Sequence, residues 1–172
     1  MMKELSMSEL TDNMMEAIGK EWMLVTAGTP EKFNTMTASW GGVGVLWGKP
    51  VAFVFIRPER YTYEFTEAGD SLTLSFLGAA HKEVHKVCGS TSGRTTDKVT
   101  AAGLHPVFTP DGNVCFEEAR LVLECKKLYA DNIRPEGFTD PSLIDRWYNG
   151  HGGFHRMYVV AIEHIWTNDS PN

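Results

Sequence analysis

The sequence predicts a mainly β protein, an antiparallel β barrel carrying peripheral helices. Three observations carry that expectation. Val51-Ala-Phe-Val-Phe-Ile56 is apolar without alternation, as a strand covered on both faces must be. Leu72, Leu74 and Phe76 alternate with polar Thr73 and Ser75, and Ala119, Leu121, Leu123 and Cys125 are spaced likewise with polar Arg120 and Glu124 between them, which is the period-2 mark of a strand. Strand segments also come in runs rather than in strict βαβ alternation, which disfavours a doubly wound sheet.

Taken in order, residues 8–19 predict an amphipathic helix with Met14, Met15 and Ile18 on its apolar side and Gly19 at its end. Residues 22–28 follow as a strand. Residues 35–40 and 51–56 read as the two arms of a hairpin, joined by the glycine-rich Gly41-Gly-Val-Gly-Val-Leu-Trp-Gly-Lys-Pro50. Residues 59–68 predict a short helix stopped by Gly69, and residues 72–76 a half-buried strand. Helices are expected at 81–88, ending at Gly89, and at 97–102, ending at Gly103. Asp111-Gly112 is a hairpin turn signal between Phe108 and Val114. Asp140-Pro141 marks a helix start, with Asp as N-cap and Pro at the first helical position. Residues 157–166 form a closing strand. With no repeat or low-complexity linker, residues 1–172 read as one domain.

The chain has 172 residues, 42% of them hydrophobic, enough for a real core and too apolar for disorder. A net charge of −6 argues against a nucleic-acid partner, whose phosphates would repel it. No apolar run approaches the roughly 20 residues of a membrane-spanning helix. The opening Met-Met-Lys-Glu-Leu-Ser lacks the apolar stretch of a secretion signal. Cys88, Cys115 and Cys125 are odd in number, widely spaced and without a C-x-x-C pair, so reduced thiols in a cytoplasmic protein are expected. The position for a reactive thiol, were there one, is Cys88.

Against this acidic background, three polar segments close hydrophobic runs: Asn34-Thr-Met-Thr-Ala-Ser-Trp40, Arg57-Pro-Glu-Arg-Tyr-Thr62 and Ser92-Gly-Arg-Thr-Thr-Asp-Lys98. Hydroxyls, backbone amides and cations brought together make an anion cradle, because arginine meets phosphate oxygens in a planar fork. In an extended segment Thr35, Thr37 and Ser39 share one side, and Met36, Ala38 and Trp40 the other. Each segment has a plainer reading: alternation is common in edge strands, and Arg57, Arg60 and Thr62 suit a solvated helix start. It is the conjunction that points to a discrete, small anion.

Two familiar phosphate signatures are rejected. Gly42 and Gly44 lead to Trp47 and Pro50 instead of a helix start, and Gly48-Lys49 is followed by proline where a P-loop has Ser or Thr. His81-Lys-Glu-Val-His85 places two imidazoles one helical turn apart. Its Glu83 is out of register for a zinc motif, so a solvated helix face is expected and no metal site. His151 and His155, in a glycine-rich approach to the last strand, are structural or reach a substrate pocket.

Together the ordered motifs N-x-M-T-x-S-W, R-P-x-R-Y-T and S-G-R-x-x-D-K resemble the flavin reductase-like family, over residues of about 22–103 with the closing strand consistent. The resemblance implies an FMN-binding split barrel, homodimeric, with FMN near the subunit interface. It implies that Thr35, Met36, Thr37, Ala38 and Ser39 line the flavin ring, with Trp40 packed nearby. Arg57, Arg60, Tyr61 and Thr62 then address the phosphate and ribityl end, joined by Ser92, Gly93, Arg94 and Lys98. Asp97 would fix Arg94 or Lys98, and His155 would approach a nicotinamide. On this resemblance the first expectation is an FMN-dependent oxidoreductase using NAD(P)H. The alternatives are a flavoredoxin-like electron carrier fed by another protein, and a non-catalytic flavin or haem binder on the same scaffold.

Overall fold

The computed structural model describes residues 2–168. Its strands are β1 (Met2–Leu5), β2 (Met23–Thr29), β3 (Lys32–Ala38), β4 (Gly41–Leu46), β5 (Lys49–Ile56), β6 (Ser71–Phe76), β7 (Pro106–Phe108), β8 (Val114–Phe116), β9 (Leu121–Asn132) and β10 (Arg156–Asn168). Its α-helices are α1 (Met14–Glu16), α2 (Tyr61–Ala68), α3 (Lys82–Ser90), α4 (Lys98–Ala102) and α5 (Ser142–Trp147). Eight strands form one antiparallel sheet in the order β3-β2-β6-β9-β10-β5-β4, with β1 added on β10, and β7 and β8 form a separate hairpin. The mainly β, antiparallel architecture expected from the sequence is the one observed.

The sheet is not laddered shut, yet it must curl. Its two outermost strands, β3 and β4, are joined by Ser39 and Trp40 alone, so their ends lie within about 11 Å, three Cα steps. Alternate residues sort to two cores. Met23, Val25 and Ala27 of β2 point into the barrel with Met36, Val54, Leu74, Leu123 and Tyr158. Leu24 and Val122 point outward into a second core with Cys88, Leu104, Cys115 and Phe116, under α3, α4 and the β7–β8 hairpin.

That second layer accounts for one departure from the sequence reading. β6 is buried on both faces, not half-buried: its outward Thr73 hydroxyl donates to Val114 O of β8 at 2.6 Å. A buried polar network sits nearby. Glu124, 2% exposed, accepts from Thr109 Oγ1 at 2.5 Å, Asn113 Nδ2 at 2.6 Å and Trp166 Nε1 at 2.8 Å.

Residues 35–40 and 51–56 are not partners in one hairpin. β3 pairs with β2, and the glycine-rich segment is itself a strand, β4, paired with β5 through Gly41↔Val54 to Leu46↔Lys49. Glycine allows this, because Gly41 sits at φ +150° with Phe53 O against the place a Cβ would occupy. The N-terminal helix is shorter and broken: a 3₁₀ turn at Met7–Glu9, then α1, which continues as a π turn over Ala17–Glu21 through Gly19. Ala17 and Ile18 enter the barrel core, whereas Met15 is 84% exposed. Asp140 still starts α5 by accepting from the Ser142 amide, one position earlier than a formal N-cap. The strand β1 had no counterpart in the sequence reading. No helix among the described residues is long and apolar enough to cross a membrane.

Candidate functional site

The three polar segments converge on one end of the barrel. β3 brings Met36 to Ala38 there and the β3–β4 link adds Ser39 and Trp40; the β5–α2 turn adds Arg57 and Arg60, and the α3–α4 region adds Ser90 to Lys98. A first cavity of about 190 Å³ is lined by Met36, Ala38, Trp40, Phe55, Arg57 and His155, with Thr37, Ser39 and Arg60. A second, of about 360 Å³, shares Thr37, Ser39 and Arg60 and adds Trp22, His85, Lys86, Gly89 and Ser90. A third, of about 220 Å³, shares Arg60, Gly89 and Ser90 and reaches Thr91, Ser92 and Lys98. Arg60 lines all three, so the cavities are neighbours arranged around this residue and are together termed the groove.

One corner of the groove is strongly positive. Lys98 is 4% exposed and donates to Thr35 O at 3.0 Å and Cys88 O at 2.9 Å. Arg60 donates to the same Cys88 O at 3.4 Å. Neither cation forms an ion pair among the described residues. Burial, and secondarily Arg60, push the Lys98 amine down to about 8, and burial also lowers Arg60. Glu59 lines the third cavity, but its carboxylate is occupied by the Gly153 amide at 2.6 Å.

The other end is roofed by aromatic rings. Trp40 meets Trp147 edge-on at 4.9 Å and His155 at 5.3 Å, and the Tyr148 hydroxyl lies 2.7 Å from His155 Nδ1. Arg57 secures this roof. It donates to Trp147 O at 2.8 Å and Gly153 O at 3.0 Å, with its guanidinium 4.9 Å from the Tyr148 ring centre. Burial, then the Arg57 charge, lower the His155 imidazole to about 4, which keeps it neutral near neutral pH.

Other sequence-singled residues are spent on the scaffold. Thr35 shares a hydroxyl contact of 2.9 Å with Thr26, and its carbonyl holds Lys98. Thr62 is fully buried and accepts from Asn34 Nδ2 at 2.7 Å, tying α2 to β3. Gly93 lies so close to Asn34 that a Cβ would overlap its amide oxygen. Tyr61 borders the third cavity, while Arg94 covers its ring at 4.8 Å and pairs with Glu64. Asp97 holds neither Arg94 nor Lys98; it caps α4 by accepting from the Thr100 amide and hydroxyl.

Helix α3 is not a solvated histidine face. His81 is bonded to Leu77 O, and His85 is 1% exposed because α3 packs on β3, where Thr37 Oγ1 donates to His85 O at 2.6 Å. Phe55, Trp22 and Ser90 are groove residues the sequence reading did not single out, and His85 was expected on a solvated face instead. Phe55 alone carried a signal, as the one site residue within the apolar strand. All three cysteines are free and buried, and burial raises the Cys88 thiol despite Lys98 and Arg60, which disfavours its thiolate.

The donor set suits FMN. Met36, Ala38, Trp40 and Phe55 offer an apolar slot for a flat ring, and Arg60, Lys98, Ser90 and Ser92 surround a place where an anion would relieve two neighbouring cations.

The sequence model of the flavin reductase like domain matches residues 15–172. No curated protein matches the chain. Among solved structures, the chain is similar to an FMN-binding protein from Thermus thermophilus with bound p-hydroxybenzaldehyde: 21% identity, 87% of this chain and 72% of that one, TM-score 0.68. It is also similar to flavoredoxin of Desulfovibrio vulgaris, with 21% identity over 86% of this chain and 69% of that one, TM-score 0.65. An NADH:FAD oxidoreductase from Streptomyces globisporus follows at 14% identity, 88% and 78% coverage and TM-score 0.64.

Proposed function

The chain belongs to the flavin reductase-like domain family, and from that premise we propose that it is an FMN-dependent oxidoreductase passing electrons from NAD(P)H to a flavin or another acceptor. The observation that supports it most is the Arg60–Lys98 pair, two desolvated cations without a carboxylate at the end of an apolar slot. Bound FMN would supply reversible hydride and electron transfer, which no side chain of this chain offers. Met36, Ala38, Trp40 and Phe55 would hold and dry the ring; Thr37 and Ser39 would border it. Arg60, Lys98, Ser90 and Ser92 would hold the phosphate, each charge-assisted contact contributing about 1.5–3 kcal/mol. Arg57 acts chiefly through the roof it anchors. His155, neutral and fixed by Tyr148, would border the place where a nicotinamide meets the ring.

A protein electron donor in place of the nicotinamide is the second reading. It is favoured by Trp147 packing edge-on against Trp40, which lines the first cavity and is thus already covered by an aromatic ring. On either reading the molecule acts as a cytoplasmic homodimer. Support comes from the buried free thiols and from an exposed apolar group of Val45, Trp47, Leu128 and Tyr129.

The test is an anaerobic absorption spectrum of the FMN-loaded protein, followed by reductant. Rapid bleaching by NADH or NADPH is expected. Bleaching only by a reduced protein would select the second reading, and failure to retain FMN would remove both.

A further inference from the structure

Among the described residues lining the groove, His85 alone carries a buried side-chain nitrogen without a hydrogen-bond partner, its Nε2. Which form the ring takes follows from its neighbour. The Thr37 hydroxyl has a single proton, and donates it to His85 O at 2.6 Å. In its 3.5 Å contact with His85 Nδ1 that hydroxyl is then placed to accept, which favours the ring proton on Nδ1 and a lone pair on Nε2.

The ring is held in place. Trp22 meets it edge-on, with centroids 6.2 Å apart, and Trp22 lies under the Lys82 ammonium at 3.2 Å. Burial, then Lys82 and His81, lower the imidazole to about 4, so the ring stays neutral. The cavity beside it offers Arg60, Lys86, Ser90 and Ser39, none of which reaches Nε2. A desolvated acceptor without a partner is unfavourable, and the cavity that His85 lines is the neighbouring space from which a bound molecule can bring a donor.

We infer that His85 is a specificity-determining residue of the groove, its Nε2 accepting a hydrogen bond from an uncharged N–H or O–H of the bound molecule. This rests on the FMN reading. FMN's uncharged donors are the imide N–H of its ring and the hydroxyls of its ribityl chain. A cationic donor is disfavoured by Lys82, Lys86 and Arg60 around the ring, and an anionic oxygen has no proton to give.

The experiment is an FMN titration, followed by flavin fluorescence, on the full chain and its His85→Phe and His85→Gln variants. Phenylalanine keeps the ring's bulk without an acceptor, whereas glutamine can place an oxygen near the Nε2 position. Phenylalanine is expected to weaken binding roughly tenfold and glutamine to retain most of the affinity. FMN methylated at the imide nitrogen, and FMN lacking ribityl hydroxyls, identify the donor: the analogue missing it binds wild type as weakly as FMN binds His85→Phe. If His85→Phe does not fold, the nitrogen-15 resonance of wild-type Nε2 serves instead and should move on FMN addition as the lone pair is engaged. An unmoved resonance, or wild-type affinity in His85→Phe, overturns this inference while leaving the flavin reading intact. A wild-type protein that binds no FMN removes the flavin reading itself.

Discussion

Raising the pH from about 7 to about 9 should weaken FMN binding in the groove, and Lys98 should set the midpoint. In the free protein its amine is lowered from an ordinary 10.5 to about 8, first by burial and then by Arg60. The phosphate is already a dianion above about pH 7 and the arginines keep their protons throughout, so in this range the charge at the phosphate end changes at Lys98. If only the charged amine holds the phosphate, apparent affinity falls about twofold at pH 8 and about tenfold by pH 9. Stability of the free protein should move the other way. With the folded value below the unfolded one, the unfolded chain holds the extra proton between about 8 and 10.5. The charged amine therefore disfavours the fold at neutral pH by on the order of 3 kcal/mol, and that penalty is relieved as pH rises through the window. Fluorescence titrations with FMN and with riboflavin, which lacks the phosphate, check the first slope, and Lys98→Met should flatten it. An FMN affinity that is constant across the range, or a riboflavin affinity that falls in parallel, would refute a phosphate held by Lys98.

Four substitutions test the remaining roles. Arg60→Ala should weaken FMN about tenfold or more in the same titration while leaving riboflavin less affected, because a charge-assisted contact to the phosphate is lost. Arg57→Ala should weaken FMN retention and also speed amide exchange across residues 147–153, since Trp147 O and Gly153 O lose their common donor. Gly93→Ala should displace Asn34 from Thr62 and lower thermal stability and FMN affinity together; an unchanged melting temperature would count against the close packing seen there. Glu124→Ala leaves a buried hydroxyl, an amide and an indole N–H without their acceptor and should cost about 3 kcal/mol in urea unfolding, with less than about 1 kcal/mol as the contrary result.

What could be read from the chain depended on whether a signal was local. Helix stops and turns are local, so Gly103 after α4 and the Asp111-Gly112 turn were legible, whereas the cap made by Asp97 was not. Pairing is not local. The glycine-rich segment looked like a loop because glycine weakens strand propensity, and β4 exists because β5 offers it a ladder. The chemical content of the three polar segments was legible as composition, cations and hydroxyls in an acidic protein, but their division of labour was not. Arg57 and Arg60 stand three residues apart, and one anchors an aromatic roof while the other is desolvated at the groove's centre. That difference is decided by residues 90 positions downstream, in the loop that Arg57 clasps. His85 shows the same limit most sharply. Its i and i+4 spacing with His81 suggests a shared exposed face, yet α3 turns His85 toward β3 because Cys88, one turn on, belongs to the second core. A hydrophobe one turn away thus decides whether an imidazole meets water or a ligand, and that choice becomes visible only once the helix has a sheet to pack on.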